Sequence, residues 1–70
     1  MTQMKTFFLN GELYCTKQNI NLFDLINYFN YNNSLLVVEY NRLVYNKKKW
    51  GEICITNKDK IEIVTIVGGG

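Results

Sequence analysis

Residues 20–29 read Ile-Asn-Leu-Phe-Asp-Leu-Ile-Asn-Tyr-Phe, and the spacing of their apolar members decides which fold surrounds them. Leu22, Leu25, Ile26 and Phe29 stand at i, i+3, i+4 and i+7, one stripe of a helix; an alternating strand would split them between two faces. Asn21 is placed to cap that helix, with Asp24 three residues on completing a capping box in which Asp replaces the usual Glu or Gln. Ile20, just before the cap, can pack on Leu25 as a hydrophobic staple. Tyr31-Asn32-Asn33-Ser34 closes the segment, because Asn tolerates the left-handed backbone that ends helices.

On both sides of this helix the pattern is extended. Residues 5–16, KTFFLNGELYCT, hold two short runs rich in aromatic and apolar residues around Asn10-Gly11, the pair that most readily takes positive φ in a type I′ turn. They predict a hairpin with strands at about 4–9 and 12–16. Downstream, LLVVEY and LVY are separated by Asn41-Arg42. The first is nearly continuous, as in a strand buried on both faces, and the second is short enough for an edge. Lys47 to Trp50 predicts a helical turn that folds the Trp50 indole back over the core. EICIT is a short extended piece, NKDK a turn, and Lys60 to Val67 the last strand. On that strand Ile61, Ile63, Thr65 and Val67 share one face, while Lys60, Glu62, Val64 and Ile66 share the other.

One amphipathic helix between a hairpin and further strands covers one face of one mixed sheet, with a right-handed crossover and the other face left without a helix. The expected class is α+β with the layout of the β-grasp (ubiquitin-like) fold: four to five strands on one main helix. No linker or repeat divides the chain, so residues 1–67 are expected to form the domain and residues 68–70 a flexible tail. Strong strand-formers running into three glycines make a poor structural ending, since glycine loses the most freedom on ordering. They make a good way to present a bare carboxylate.

Composition excludes several other roles. The chain has 70 residues, so its core is thin and it is one domain at most. It has no His and two cysteines, Cys15 and Cys54, far apart and without CxxC spacing. A metal site is not expected, and both thiols read as reduced, semi-buried small apolar residues. No apolar run approaches the roughly 20 residues of a membrane span, so a soluble protein is expected. A formal charge of +2 is too small to argue for nucleic acid, and Lys47 to Lys49 reads as a solvated turn rather than a partner-steering patch. Asn, Lys, Ile, Tyr and Phe are plentiful while Ala is absent, the signature of AT-rich codons. That composition suits a plastid or a reduced bacterium, placing the chain in the cytoplasm, or in the stroma if plastid-encoded. Without His, and with scattered acids, no general base near neutrality is marked, so an enzyme in its own right is not expected.

The NGE of the first hairpin, the staple and helix, KKKW after the fourth strand, and above all NKDKIEIVTIVGGG at the end resemble ThiS, the sulfur carrier family of thiamine thiazole biosynthesis. The resemblance covers all but the first three or four residues. Three loop features depart from it: Lys58 stands where the family has a turn Gly, Asn46-Lys47 where Pro-Arg commonly precedes the Trp, and the loop into the helix lacks a glycine. Turn residues of this kind are replaceable where φ permits, and the reactive end is intact.

The resemblance implies that the carboxylate of Gly70 is adenylated and converted to a thiocarboxylate. Gly68, Gly69 and Gly70 would then be the residues read by the activating enzyme. It implies an E1-like adenylyltransferase (ThiF type), which uses ATP and Mg²⁺ that this chain does not itself bind. A thiazole synthase (ThiG type) and a sulfur donor such as a cysteine desulfurase complete the set. Val64 and Ile66, on the uncovered face near the tail, either finish the core or form the apolar contact for these partners, and their exposure decides. The rivals are a MoaD-like small subunit of molybdopterin synthase, a ubiquitin-like protein modifier, and an interaction domain with an incidental floppy terminus. Length and the VGGG ending favour the thiazole carrier over the MoaD-like reading.

Overall fold

The structure is a computed structural model that describes residues 3–29 and 36–65. Its elements run β1 (Lys5–Leu9), β2 (Glu12–Thr16), α1 (Leu22–Tyr28), β3 (Leu36–Tyr40), β4 (Leu43–Tyr45), a 3-10 helix (Lys47–Glu52) and β5 (Asp59–Thr65). The five strands form one sheet in the order β2-β1-β5-β3-β4. β5 is central, parallel to β1 and antiparallel to β3. This is the expected mixed sheet on one helix.

Both hairpins turn on consecutive residues of positive φ: Asn10 at 51° and Gly11 at 83°, then Asn41 at 51° and Arg42 at 74°. That pattern is a type I′ turn, whose twist matches that of the strands it joins. The capping box is complete, with the Asn21 side chain accepting from the Asp24 N–H at 2.7 Å and the Asp24 carboxylate accepting from the Asn21 N–H at 3.4 Å. The helical stripe points inward as its spacing requires: Leu22, Leu25 and Ile26 are buried, and Ile20 and Phe29 pack against the core. α1 ends at Tyr28 with Phe29 as C-cap, ahead of the expected closure at Tyr31 to Ser34, which lies outside the described residues.

Phe7, Leu9, Val38, Ile61 and Ile63 meet the helix from the sheet, and Trp50 and Ile55 close the side. Trp50 folds back as expected, its indole N–H donating to the Tyr45 carbonyl at 3.1 Å, so its one polar atom is satisfied inside the core. Tyr14 links hairpin to helix, stacked on Phe7 and edge-on to Phe29. Residues 53–55 are tied to the helix entry, Leu22 N–H donating to the Ile53 carbonyl and Ile55 N–H to the Ile20 carbonyl, both at 2.9 Å.

Several local expectations are corrected. Cys15 and Cys54 are exposed free thiols, not semi-buried ones. Cys15 lies opposite Thr6 on the uncovered face of edge strand β2, and Cys54 meets Asn21 in an isolated bridge between the buried Ile55 and half-buried Ile53. Among the described residues both thiols face solvent. β3 is not buried on both faces: only Val38 is fully buried, because the face bearing Val37 and Glu39 has no helix over it. Glu52, read as extended, closes the 3-10 helix. β5 begins at Asp59, one residue earlier than expected; Ile66 and Val67 lie outside the described residues.

Lys58 has φ of 70°, in the region glycine favours, which accounts for its standing where the resemblance places a turn Gly. Its side chain has no hydrogen-bond partner among the described residues. Lys58→Gly is therefore expected to stabilise the domain by about 0.5 kcal/mol, the relief of left-handed strain slightly exceeding glycine's entropic cost. A thermal melt checks this, and a lowered midpoint would contradict it.

Candidate functional site

Residues 68–70 follow β5 in the sequence, and β5 is held from both flanks. On one flank it pairs with β3 from Tyr40↔Ile61 to Leu36↔Thr65. On the other, β1 pairs from Phe7↔Asp59 to Leu9↔Ile61 and then turns away. The turn residue Asn10 prolongs that flank: its N–H donates to the Ile61 carbonyl at 2.9 Å, and its side-chain oxygen accepts from the Ile63 N–H at 2.7 Å. β5 is thus gripped on both sides as far as Ile63 and by β3 as far as Thr65. The Asn10 of the NGE motif makes the turn and also steadies the strand that leads to the tail.

Ile66, Gly68, Gly69 and Gly70 lie outside the described residues. Val64 is 57% exposed, so it belongs to the surface and does not finish the core. It stands opposite Val37 on the face that carries no helix. Alternation puts Phe8, Leu13, Val44, Lys60, Glu39 and Glu62 on this same face, and Phe8, Leu13 and Val44 are exposed. Four large exposed apolar side chains on one open face form an interaction-grade surface on a small protein.

The start of β5 holds a polar cluster that sequence reading missed. Asp59 is 4% exposed, the one buried charged residue among those described. Its carboxylate accepts from the Tyr40 hydroxyl at 2.6 Å, the Thr56 N–H at 2.6 Å, the Thr56 hydroxyl at 2.9 Å and the Asn41 side-chain amide at 3.1 Å. Burial by itself raises the Asp59 pKa, but these hydrogen bonds outweigh it and hold the group below its ordinary value. Burial, reinforced by the bond to Asp59, pushes Tyr40 up to about 12, so its hydroxyl stays a donor. Asn41 also accepts from the Lys60 N–H at 2.8 Å, so the second hairpin turn is bolted to the start of β5. The signal in the sequence was Thr56-x-x-Asp59, a side-chain-stabilised turn pattern, read there only as a turn.

Among the described residues no group of three or more His, Cys, Asp or Glu side chains could hold a metal ion. A groove of about 760 Å³ between β2 and α1 is lined by one carboxylate among the described residues, Asp24, which is engaged in the helix cap. No helix among the described residues is long and apolar enough to cross a membrane.

A five-stranded mixed sheet packed on one helix, with a parallel central strand pair, defines a β-grasp fold. The ThiS family model matches residues 7–70, and the chain belongs to the ThiS family. It is 65% identical over 66 residues to the ycf40 protein of Trieres chinensis, covering 94% of this chain and 90% of that one. It is 36% identical over 47 residues to the sulfur carrier protein ThiS of Bacillus subtilis, covering 67% of this chain and 71% of that one. The crystal structure of ThiS from Geobacter metallireducens shares the fold at a TM-score of 0.79 and 19% identity, over 93% of this chain and 99% of that one.

Proposed function

We propose that this chain is a sulfur carrier for thiamine biosynthesis, and that its sulfur rides on the Gly70 carboxyl as a thiocarboxylate that supplies the thiazole ring. The observation that carries the reading is the family match over residues 7–70, a span that includes the three glycines that follow β5 in the sequence. The similarity to the Bacillus sulfur carrier supports it.

The chemistry follows from the carboxylate. Ionised at neutral pH, with a pKa of about 3.5, it is inert to sulfur nucleophiles because oxide is not a viable leaving group. Attack of one carboxylate oxygen on the α-phosphorus of ATP expels pyrophosphate and leaves an acyl adenylate. A sulfur nucleophile then adds at the carbonyl carbon, and AMP departs with that oxygen. With a persulfide as that nucleophile the product is an acyl disulfide, and a thiol then attacks the donor's sulfur, forming a disulfide with the donor and leaving –COS⁻ on Gly70. This chain supplies the acyl group and its presentation. A ThiF-type adenylyltransferase supplies ATP, Mg²⁺ and the active site, a donor such as a cysteine desulfurase supplies sulfur, and a ThiG-type synthase receives it. Gly68, Gly69 and Gly70 carry no Cβ, so they thread a narrow cleft and leave the carbonyl open to attack. Val64 and Ile66 would give both partners an apolar foothold beside the tail.

The ycf40 name of the Trieres chinensis relative and the AT-rich-codon composition support a plastid-encoded chain working in the stroma. Incubating the protein with ATP, Mg²⁺, a sulfur source and the ThiF-type enzyme of the same organism tests the reading. Intact-mass spectrometry is expected to show one oxygen exchanged for one sulfur at the C-terminus. An unchanged mass alongside covalent conjugates to lysines would instead make it a protein modifier.

A further inference from the structure

We infer that the open sheet face docks the adenylyltransferase through an arginine of that enzyme seated over Glu39 and Glu62, an inference that rests on the sulfur-carrier reading and specifies the surface that enzyme must present. The register of β3 and β5 sets Glu39 directly opposite Glu62. Such cross-strand neighbours have Cβ atoms about 5 Å apart, and like charges placed so destabilise a sheet. Nothing in the described structure relieves them. Neither carboxylate has a hydrogen-bond or ion-pair partner, and the one ion pair among the described residues joins Lys49 to Glu52 on the 3-10 helix. Lys60 shares the face, but it stands across from Phe8 and makes no ion pair with Glu62.

The surroundings make this pair a recognition feature and not merely a cost. Val64 and Val37 form the next rung toward the tail, and Val44 lies beside Glu39 on the edge strand. Phe8 and Leu13 extend the apolar surface across the other flank. A partner that covers these side chains also strips water from the two carboxylates. With no cation in place that desolvation is unfavourable, so the pair selects against apolar surfaces lacking one. A guanidinium is the matching group: it is planar, permanently charged, weakly hydrated and able to bond two carboxylates at once. The chain as a whole is at +2, yet the middle of its docking face is acidic, so long-range charge does not predict the partner's surface and the local pair does.

Glu39→Gln with Glu62→Gln removes both charges at nearly constant shape. The free double variant is expected to melt a few degrees higher than wild type, with an unchanged circular dichroism spectrum. Its affinity for the ThiF-type enzyme of the same organism, measured by calorimetry, is expected to fall at least about tenfold, with much of the salt dependence of binding lost. Glu62→Asp, which keeps the charge, should retain the salt dependence. Equal affinity of the double variant and wild type overturns the inference, and where wild type is still adenylated the carrier reading survives it. A wild-type chain that the enzyme neither binds nor adenylates overturns both.

Discussion

Gly70→Val is expected to lower the rate of adenylation by at least about a hundredfold while leaving the melting temperature within error of wild type. The two halves of this result have separate physical causes. A β-branched side chain beside the reacting carbonyl restricts φ and occupies the space through which ATP and then sulfur must approach. Misplacing a reacting group by about 1 Å costs on the order of a hundredfold in rate. Stability is expected to hold because the substitution alters none of the buried side chains that form the core. A chain lacking Gly70 falls short by about 3.4 Å of reach and is expected to lose activity for the same positional reason. Pyrophosphate exchange and intact mass read the rate, and a calorimetric scan reads the stability. Normal thiocarboxylation of the valine variant would sink the steric account.

Asp59→Ala is expected to have the largest effect on folding, a loss of about 3 kcal/mol, because it leaves the Thr56 N–H and the Asn41 amide without their acceptor in a buried site. A domain of this size commonly holds on the order of 4–10 kcal/mol in total, so the variant should be near unfolding at ambient temperature. Asp59→Asn should lose less, about 1–2 kcal/mol, since one amide oxygen still accepts while the amide NH₂ meets donors.

The pH dependence separates the two contributions. Asp59 is held below its ordinary value in the folded state. Its stabilisation is therefore fully present above the unfolded value of about 4 and is lost as pH falls through the folded one. Tyr40, raised to about 12, acts in the opposite limb. Its contribution is complete below an unfolded pKa of about 10 and disappears as pH rises toward the folded value. Urea midpoints measured across pH should show the wild-type acid limb flattened in Asp59→Asn. An acid limb of identical depth in that variant would remove Asp59 from the account.

Much of the architecture was legible in single short stretches. The helix start could be placed because a capping box and a stripe of Leu22, Leu25 and Ile26 are written within six residues. The first hairpin is legible because Asn10-Gly11 readily takes positive φ, whereas Asn41-Arg42 marks only a break between two strands until the structure shows its positive φ. Trp50 was readable as a core residue because a small domain rarely leaves so much apolar area outside. The departure at Lys58 was noticed in the sequence, and its left-handed backbone gives the reason.

What escaped depends on partners distant along the chain. The Cys15 and Cys54 thiols were misjudged because their apolar character says nothing about which side of the backbone another element covers. Asp59 looked like one charge in a polar turn until β3 brought the Tyr40 hydroxyl to it. Glu39 and Glu62 looked like two unrelated surface acids, and only the β3–β5 register makes them neighbours. By itself the sequence determined the elements, their order and the glycine ending, since capping, periodicity and turn preference act over a handful of residues. The tertiary structure decided which side chains are buried, which charges confront each other, and what the exposed face offers a partner. Those outcomes follow from strand register, and a shift of one residue in register would turn every side chain of a strand to the opposite face.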